Sequence, residues 1–322
     1  MKINFQKIID KFDRFQRKHK IIGFLYALQT KYSQDNGGQQ AALLTYYGFL
    51  SLFPLLLAAT SILQIILSSR PDLRASVINH ATTYFPVLGE QLQSNVTHVS
   101  GAGIGLAVGI ILAIWGAKGV ADVFQDTMNR LWGIPMNKRP GFPHGHLKSL
   151  GMMTVGGLGF VTVSVIASLT FSLDRTFFFW LMSIAVSIIL LFGLFWLLIK
   201  WALADSSLVT THSLRTTAIS AAVSVQVLQL AGGYLITHEL GNFKHLYGTF
   251  AATLVLLFWI YLQARVVVYC AEAGMVSARQ LYPRAINRQH LTDKDKRAFA
   301  AYAEQQKFVE PEQINVKFKD KD

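Results

Sequence analysis

Residues 177–199 read FFFWLMSIAVSIILLFGLFWLLI and contain no charged side chain. A helix needs about 20 apolar residues to cross the ~30 Å hydrocarbon core of a bilayer. This run is long enough to do so, and it is apolar on every side, as lipid requires of a spanning helix. It therefore predicts a transmembrane helix.

Five further runs are uncharged or nearly uncharged, and with the first they define the predicted architecture. They cover residues 41–67, 101–117, 149–171, 216–236 and 247–271. The run at 101–117 is short, and we expect it to borrow residues from either end, past Lys118. Only 15% of the chain is charged, against about 25% in soluble domains. We predict an all-α polytopic membrane protein with six transmembrane helices and additional in-plane amphipathic helices.

Basic residues predict the orientation of these helices. With the N-terminus inside, the cytoplasmic segments hold 25 Lys and Arg residues, the outer loops hold 4, and Arg265 lies within a span. The positive-inside rule then places both termini in the cytoplasm. It also explains most of the net charge of +12 without nucleic acid as a partner. The predicted domains are a cytoplasmic amphipathic segment 1–40, a membrane domain 41–271 and a polar cytoplasmic tail 272–322.

Three segments outside the spans have amphipathic or capping patterns. Residues 3–28 interleave apolar and basic side chains, which favours a helix on the anionic inner leaflet over a nucleic-acid-binding arm. Residues 120–131 are spaced as an amphipathic cytoplasmic helix. Thr292 is a candidate N-cap for a helix in the tail. The outer loop 68–100 is long, and its sequence suggests a helix broken at Pro86.

Small residues and a proline mark the first two spans. Every fourth residue of the second span is small, which is typical of close helix packing, with the lining of a lipid or substrate groove as the alternative; the residues are Gly101, Gly105, Gly109, Ala113 and Ala117. Pro54 removes a backbone donor from the first span and predicts a kink there. A kinked helix of this kind can also gate a pathway.

Polar residues at membrane depth are the candidate substrate-binding residues, because such groups are rare and often mark pathways. They are Arg265, Gln263, Gln226, Gln229 and Glu272. Arg265 lies 18 residues past Tyr247, or about 27 Å along a helix, which places it at the inner edge of the membrane. It either points into the bundle or snorkels to the interface. Glu272 is expected about 10 Å away, too far for a direct pair with Arg265.

Three motifs resemble the signature regions of the YihY/virulence factor BrkB family. They are LTYYGFLSLFPLLL (44–57), WGAKGVADVFQDTMNRLWGIP (115–135) and YGTFAATLVLLFWIYLQARVVVYCAEAGMV (247–276). The resemblance covers residues 35–280 and implies a bacterial inner-membrane protein with a role in envelope biology, including lipid transport. Many members end the last span in Gly-Ala-Glu, whereas this chain has Cys270-Ala271-Glu272. Some members of the family were formerly named ribonucleases.

The residues do not support a nuclease or another enzyme. A metal-dependent nuclease needs clustered His and carboxylate ligands, and the nine histidines are scattered. His144 and His146 are the closest pair, with no acidic residue nearby, and His238 and His245 are separated by a predicted turn at Gly241. The single cysteine, Cys270, excludes a multi-cysteine metal site. We predict no metal and no cofactor.

The sequence leaves three functions open. The first is a protein that moves or organises envelope lipids or another amphiphile, with Arg265, Gln263 and Gln226 contacting the polar part of the substrate. The second is a scaffold or envelope-assembly factor that transports nothing, and the third is the ribonuclease. The expected partners are membrane lipids and no nucleic acid. Protein partners and a homo-oligomeric state stay open.

Overall fold

The computed structural model describes residues 5–66, 102–141, 143–173, 177–247, 249–286, 291–309 and 311–318. Within these ranges the chain is all-α, with nine α-helices, one 3-10 turn at Met136–Lys138 and no strand. In chain order the helices are α1 Phe5–Lys18, α2 Lys20–Gln34, α3 Gly37–Ile66, α4 Ala102–Leu131, α5 His144–Leu173, α6 Phe177–Ala202, α7 Thr211–Tyr247, α8 Thr249–Ala278 and α9 Asp293–Gln305. The predicted all-α class is confirmed.

The six longest helices of the described part of the chain, α3 to α8, cover most of each of the six apolar runs. They have 26 to 37 residues each. At 1.5 Å per residue the shortest is about 39 Å long, more than the ~30 Å of hydrocarbon. Among the described residues, two segments are both long and apolar enough to span a membrane, Phe177–Ala202 and Thr253–Ala278. The number of spans and the orientation of the termini stay predictions.

Helix α4 corrects the expectation for residues 120–131. The predicted amphipathic helix is not separate but forms the C-terminal part of α4, which runs unbroken through Lys118 to Leu131. Met128 and Leu131 are fully buried. Their apolar spacing therefore reflects packing within the protein.

Close packing between α3 and α4 occurs at two glycines that flank Ala117, the last residue of the predicted small-residue stripe. A Cβ atom at Gly116 would lie 3.2 Å from Ser51 Cα, and one at Gly119 would lie 2.7 Å from the Tyr47 ring. Gly105, Gly109 and Ala113 lie on α4 at positions whose side-chain surroundings are not described, and Gly101 lies outside the described residues. Their packing role stays a prediction.

Two sequence features of the helix ends are explained by the structure. The loop expected after residue 236 is helical, because α7 continues through Gly241 to Tyr247. Thr292 is the N-cap of α9, as predicted, and it forms a capping box with Asp295. Pro54 lies within α3, where side-chain surroundings are not described, so its kink stays a prediction. Pro86 and the rest of the 68–100 loop lie outside the described residues.

The chain divides into two compact units. Unit 1 comprises residues 1–40, 124–226 and 265–322, and unit 2 comprises residues 41–123 and 227–264. The apolar core of unit 1 lies between α5, α6 and α7, where Val163, Leu191, Ala222 and Val225 are buried together. Unit 1 also joins the N-terminal helices, the end of α8 and α9. Helix α9 therefore packs as part of unit 1.

Candidate functional site

A buried ammonium joins three helices of unit 1. Lys31 Nζ, on α2, donates to Asp35 Oδ2 at 2.5 Å, to Glu272 Oε2 of α8 at 2.5 Å and to the Leu131 carbonyl of α4 at 2.9 Å. All three of its protons have acceptors, and Glu272 is fully buried. We call Lys31, Asp35 and Glu272 the Lys31 cluster. It ties the N-terminal segment to the last long helix across 241 residues of sequence.

The charge of Lys31 is held by its two carboxylates. Burial disfavours the ammonium and lowers its pKa, but the negative charges of Glu272 and Asp35 outweigh burial and raise the pKa above its ordinary value. Lys31 is therefore a fixed cation at physiological pH. Glu272 Oε1 is buried without a hydrogen-bond partner among the described residues, so the cluster has an unused acceptor.

The C-terminus of α4 is the second component of this region. It ends in a Schellman motif, in which Ile134 N donates to Asn129 O and Gly133 N donates to Arg130 O. Gly133 has a φ of +66°, the left-handed conformation that the motif requires and that glycine adopts without strain. The sequence Gly133-Ile134-Pro135 is thus a helix stop.

Side chains from α2, from the residue after α8 and from α9 donate to carbonyl groups at the C-terminal end of α4. Besides Lys31 on Leu131, Arg279 donates to the Trp132 carbonyl at 3.0 Å and Gln305 donates to the Arg130 carbonyl at 2.8 Å. Two of these groups are cations, and a positive charge near a helix C-terminus interacts favourably with the negative end of the helix dipole. Helix α2, Arg279 and helix α9 thus all contact the C-terminal end of α4.

A small cleft lies beside the Lys31 cluster. Its lining includes Lys31, Asp35, Arg130, Arg279 and Tyr302. The cavity has about 20 Å³ for water-sized groups, which is the room of one or two waters. Burial raises the pKa of the Tyr302 phenol, and its hydroxyl has no hydrogen-bond partner among the described residues. The cleft suits an ordered water and is too small for a lipid headgroup.

The segment after α8 is fixed by a second buried ion pair. Arg284 is 1% exposed; its Nε donates to Asp295 Oδ1 at 3.1 Å and its Nη1 to Gln34 Oε1 at 2.8 Å. Asp295 also accepts from Ala285 N and Thr292 N. Burial alone would raise the pKa of Asp295, but these hydrogen bonds to its ionised form lower it overall.

Arg265 is the exposed charge of α8. Its guanidinium carbon lies 5.8 Å from the centre of the Tyr269 ring and 6.0 Å from that of Tyr32. The two rings are stacked with their centroids 3.9 Å apart, and Tyr269 donates a hydrogen bond to Gln29 of α2 at 2.9 Å. The guanidinium therefore lies against an aromatic pair that joins α2 and α8, and its side chain is exposed.

The other predicted binding residues have different environments. Gln226 is 8% exposed, and its Oε1 has no hydrogen-bond partner in the described part of the chain. Gln229 and Gln263 are half-buried and belong to unit 2. Glu272 pairs with Lys31, a partner that the sequence alone did not identify. A role in substrate binding stays a prediction for all five candidates.

Helix α7 presents a polar seam to α8. Cys270 Sγ donates to Ser224 at 3.6 Å, and a Cβ atom at Gly274 would overlap Thr217 Oγ1 and lie 3.1 Å from the Ser213 carbonyl. Because Cys270 and Gly274 are one turn apart, this line of α8 approaches α7 closely. Gly274 is a position where no side chain fits.

Metal-binding groups are absent from the part of the chain that the structure describes: it contains no group of three His, Cys, Asp or Glu side chains able to hold an ion. His144 and His146 begin α5.

Sequence reasoning missed Lys31 and Asp35, although their spacing carries a signal. They are four residues apart in a segment followed by a helix stop at Asn36, which has a φ of 55°. Residues i and i+4 lie on one helix face, so the pair was recognisable as an ion pair. Its connection to Glu272 depends on tertiary structure.

Comparisons with known proteins assign the chain to a family. The model of the family described as virulence factor BrkB matches residues 28–294. A UPF0761 membrane protein of Psychrobacter sp. (strain PRwf-1) is 25% identical over 287 residues, covering 83% of this chain and 51% of that protein. A UPF0761 membrane protein of Alcanivorax borkumensis is also 25% identical, covering 85% of this chain and 65% of that protein.

A third relative has a different kind of name. The putative ribonuclease-like protein YfkH of Bacillus subtilis is 23% identical, covering 78% of this chain and 94% of that protein. The chain spans between half and two thirds of the length of the two UPF0761 relatives. No solved structure matches it. The matched region contains α3 to α8 and the whole Lys31 cluster, and the chain belongs to the virulence factor BrkB family of membrane proteins.

Proposed function

We propose that this membrane protein moves or organises envelope lipids or another amphiphile in the bacterial inner membrane, and that Arg265 contacts the anionic part of that molecule. It does so without catalysing a covalent reaction. The exposed guanidinium of Arg265 on α8 is the observation that carries the proposal.

The proposed topology has six spans, with both termini in the cytoplasm. Its support is the coincidence of six long helices with six apolar runs and the excess of 25 basic residues over 4 on the predicted inner side. In this topology the Lys31 cluster and α9 lie at the cytoplasmic side. Charged clusters of this kind are tolerated there because water and headgroups are close.

The position of Arg265 along α8 supports contact with headgroups. The helix has 30 residues and is about 45 Å long, so roughly 15 Å of it extends beyond the hydrocarbon. The end that extends is the one with Arg265 and Glu272, because charges are expensive in the bilayer centre. Arg265 lies about 24 Å from the start of α8, so a side chain that snorkels toward the cytoplasm reaches the inner headgroups.

The surroundings of Arg265 suit an amphiphile with a phosphate or carboxylate. An arginine presents several donors in a planar fork that matches such groups. The Tyr32 and Tyr269 rings lie against the guanidinium, and the half-buried Tyr269 ring offers apolar surface for an acyl chain. Because the cleft beside the Lys31 cluster is too small for a lipid headgroup, the amphiphile would bind on the exposed side of α8 around Arg265.

The ribonuclease hypothesis has less support. The name of YfkH describes that protein, and this chain would need an accessible acid–base pair to cleave RNA. The Lys31 cluster is buried and has a lysine paired with two carboxylates, so it does not provide such a pair. Purified protein incubated with RNA, with and without a chelator, tests this hypothesis, and metal-dependent cleavage would support it.

The scaffold hypothesis is separated from transport by a flux measurement. The protein is reconstituted in vesicles with a fluorescent anionic lipid, and reduction of the outer-leaflet dye by dithionite reports transbilayer movement. We expect faster movement with the wild-type protein than in empty vesicles, loss of most of the gain in Arg265→Leu, and retention in Arg265→Lys. A matched variant, Lys294→Leu on α9, is the control. Equal rates in protein-containing and empty vesicles would favour the scaffold.

A further inference from the structure

Helix α1 buries polar side chains and exposes apolar ones, the reverse of what is expected in a soluble protein. Among residues 10–18, the part of α1 whose side-chain burial is described, the buried side chains are polar: Asp13 is 6% exposed and Gln16 is 3% exposed. Its exposed side chains include Phe12 at 63% and Phe15 at 51%. A soluble protein would bury the two phenylalanines and leave the carboxylate in water.

Specific hydrogen bonds fix this orientation. Asp13 Oδ1 accepts from Ile286 N at 2.8 Å, and Gln16 donates to the Arg284 carbonyl. Asp13 also forms an ion pair with Arg17 at 2.6 Å. The polar face of α1 is therefore docked on the segment that follows α8, and rotation of α1 to hide its phenylalanines would break these contacts.

The exposed apolar surface continues onto α2. Ile21 is 76% exposed, Ile22 39% and Leu25 55%. The α1–α2 apolar face, defined as Phe12, Phe15, Ile21, Ile22 and Leu25, is bordered by exposed basic residues. These are Lys11, Arg14, Lys18 and Lys20.

We propose that the α1–α2 apolar face inserts into the headgroup region of an anionic membrane, the inner leaflet of the bilayer that holds this protein. Charge complementarity identifies the partner, because exposed cations beside large apolar side chains match anionic headgroups beside acyl chains. A soluble protein partner would not require this ring of lysine and arginine. The proposal is independent of whether the protein moves lipid.

Helix α2 carries part of the α1–α2 apolar face and also contacts Arg265. Gln29 and Tyr32, one and two turns beyond Leu25 on α2, contact the Tyr269 and Arg265 side chains. The docked helices would therefore set the depth at which Arg265 meets the headgroups.

Spin labels in the full-length protein test the insertion. In a Cys270→Ser background, single cysteines at Phe12, Phe15 and Leu25 are labelled, with Ala300→Cys on α9 as the water-facing control. The protein is placed in nanodiscs of phosphatidylcholine alone or with about 30% phosphatidylglycerol, an anionic lipid. Accessibility to oxygen, which concentrates in lipid, is compared with that to a water-soluble nickel chelate. We expect labels at 12, 15 and 25 to favour oxygen severalfold over the control, more strongly with phosphatidylglycerol.

Two results would overturn the proposal. Equal access of the chelate to positions 12 and 300 would place the face in water. Protection of position 12 from both reagents would indicate a protein cover, such as a second copy of the chain. In a variant with Lys11, Arg14, Lys18 and Lys20 changed to Gln, the dependence on phosphatidylglycerol should disappear, and its persistence would remove the electrostatic part of the proposal.

Discussion

Arg265 and Glu272 lie seven residues apart on the same face of α8, and the fold treats them in opposite ways. Glu272 is fully buried and pairs with Lys31, whereas Arg265 is exposed on two stacked tyrosines. The same helix α2 covers both positions, with Lys31 reaching Glu272 and the next residue, Tyr32, reaching Arg265. One of these charges therefore joins helices in the interior, while the other lies at the surface of α8.

Removal of Lys31 should have the largest effect on stability. Lys31→Met leaves the Asp35 and Glu272 carboxylates buried without their cation, and breaking a buried pair from one side costs about 3–5 kcal/mol. Glu272→Gln should cost less, because Lys31 keeps Asp35 and the amide can still accept a hydrogen bond. Thermal unfolding in detergent measures both, with Lys294→Met as the control.

Equal melting temperatures for Lys31→Met and Lys294→Met would contradict the conclusion that Lys31 stabilises the fold by pairing with two buried carboxylates. A larger loss in Glu272→Gln than in Lys31→Met would show that the carboxylate, not the cation, holds the helices together.

Gly274→Val should have the second-largest effect, because it fills the seam between α7 and α8 two residues after Glu272. The new Cβ atom would overlap Thr217 Oγ1, and overpacking of this kind costs about 1–3 kcal/mol. Gly157→Ala is the matched control, since a Cβ atom there meets no atom within 4 Å.

A Thr217→Ala substitution made in the Gly274→Val background should restore part of the lost melting temperature, because it removes the overlapping oxygen. If Gly274→Val and Gly157→Ala melt alike, α7 and α8 do not approach closely at this point.

Acid should weaken the docking of α9 through Asp295. Its pKa is lowered in the folded protein, so its contribution to stability is present above its ordinary pKa and is lost as the pH falls through the lower, folded value. We expect melting temperatures of wild type and Asp295→Asn to differ at about pH 6 and to converge below about pH 4, near the ordinary pKa of Asp. A difference that stays constant as the pH falls through this range would assign the effect to lost geometry instead of charge.

The sequence was sufficient for the parts of the fold that depend on local pattern. The apolar runs predicted the long helices, and Thr292 predicted the start of α9, because span length and capping are properties of short segments. It did not predict that residues 120–131 continue α4, since a single glycine at position 119 is compatible with both a break and a close contact.

The candidate site was only half visible in the sequence. Arg265 and Glu272 stood out because charges are rare in apolar runs. The partners of Glu272, the covering of α4 by Arg279 and Gln305, and the inward Asp13 were not predictable, because they join segments that are distant in the sequence. A charge in an amphipathic pattern does not reveal which face is buried.

The lipids that copurify with the protein test most directly whether Arg265 contacts an anionic lipid. Its removal should change stability least, by about 0.5–1 kcal/mol for an exposed cation–π contact. Native mass spectrometry of protein released from gentle detergent should show fewer anionic lipids bound to Arg265→Leu than to wild type or Arg265→Lys, because only those at the α1–α2 apolar face remain, with Lys294→Leu unchanged. The same anionic lipids on wild type and Arg265→Leu would contradict the account.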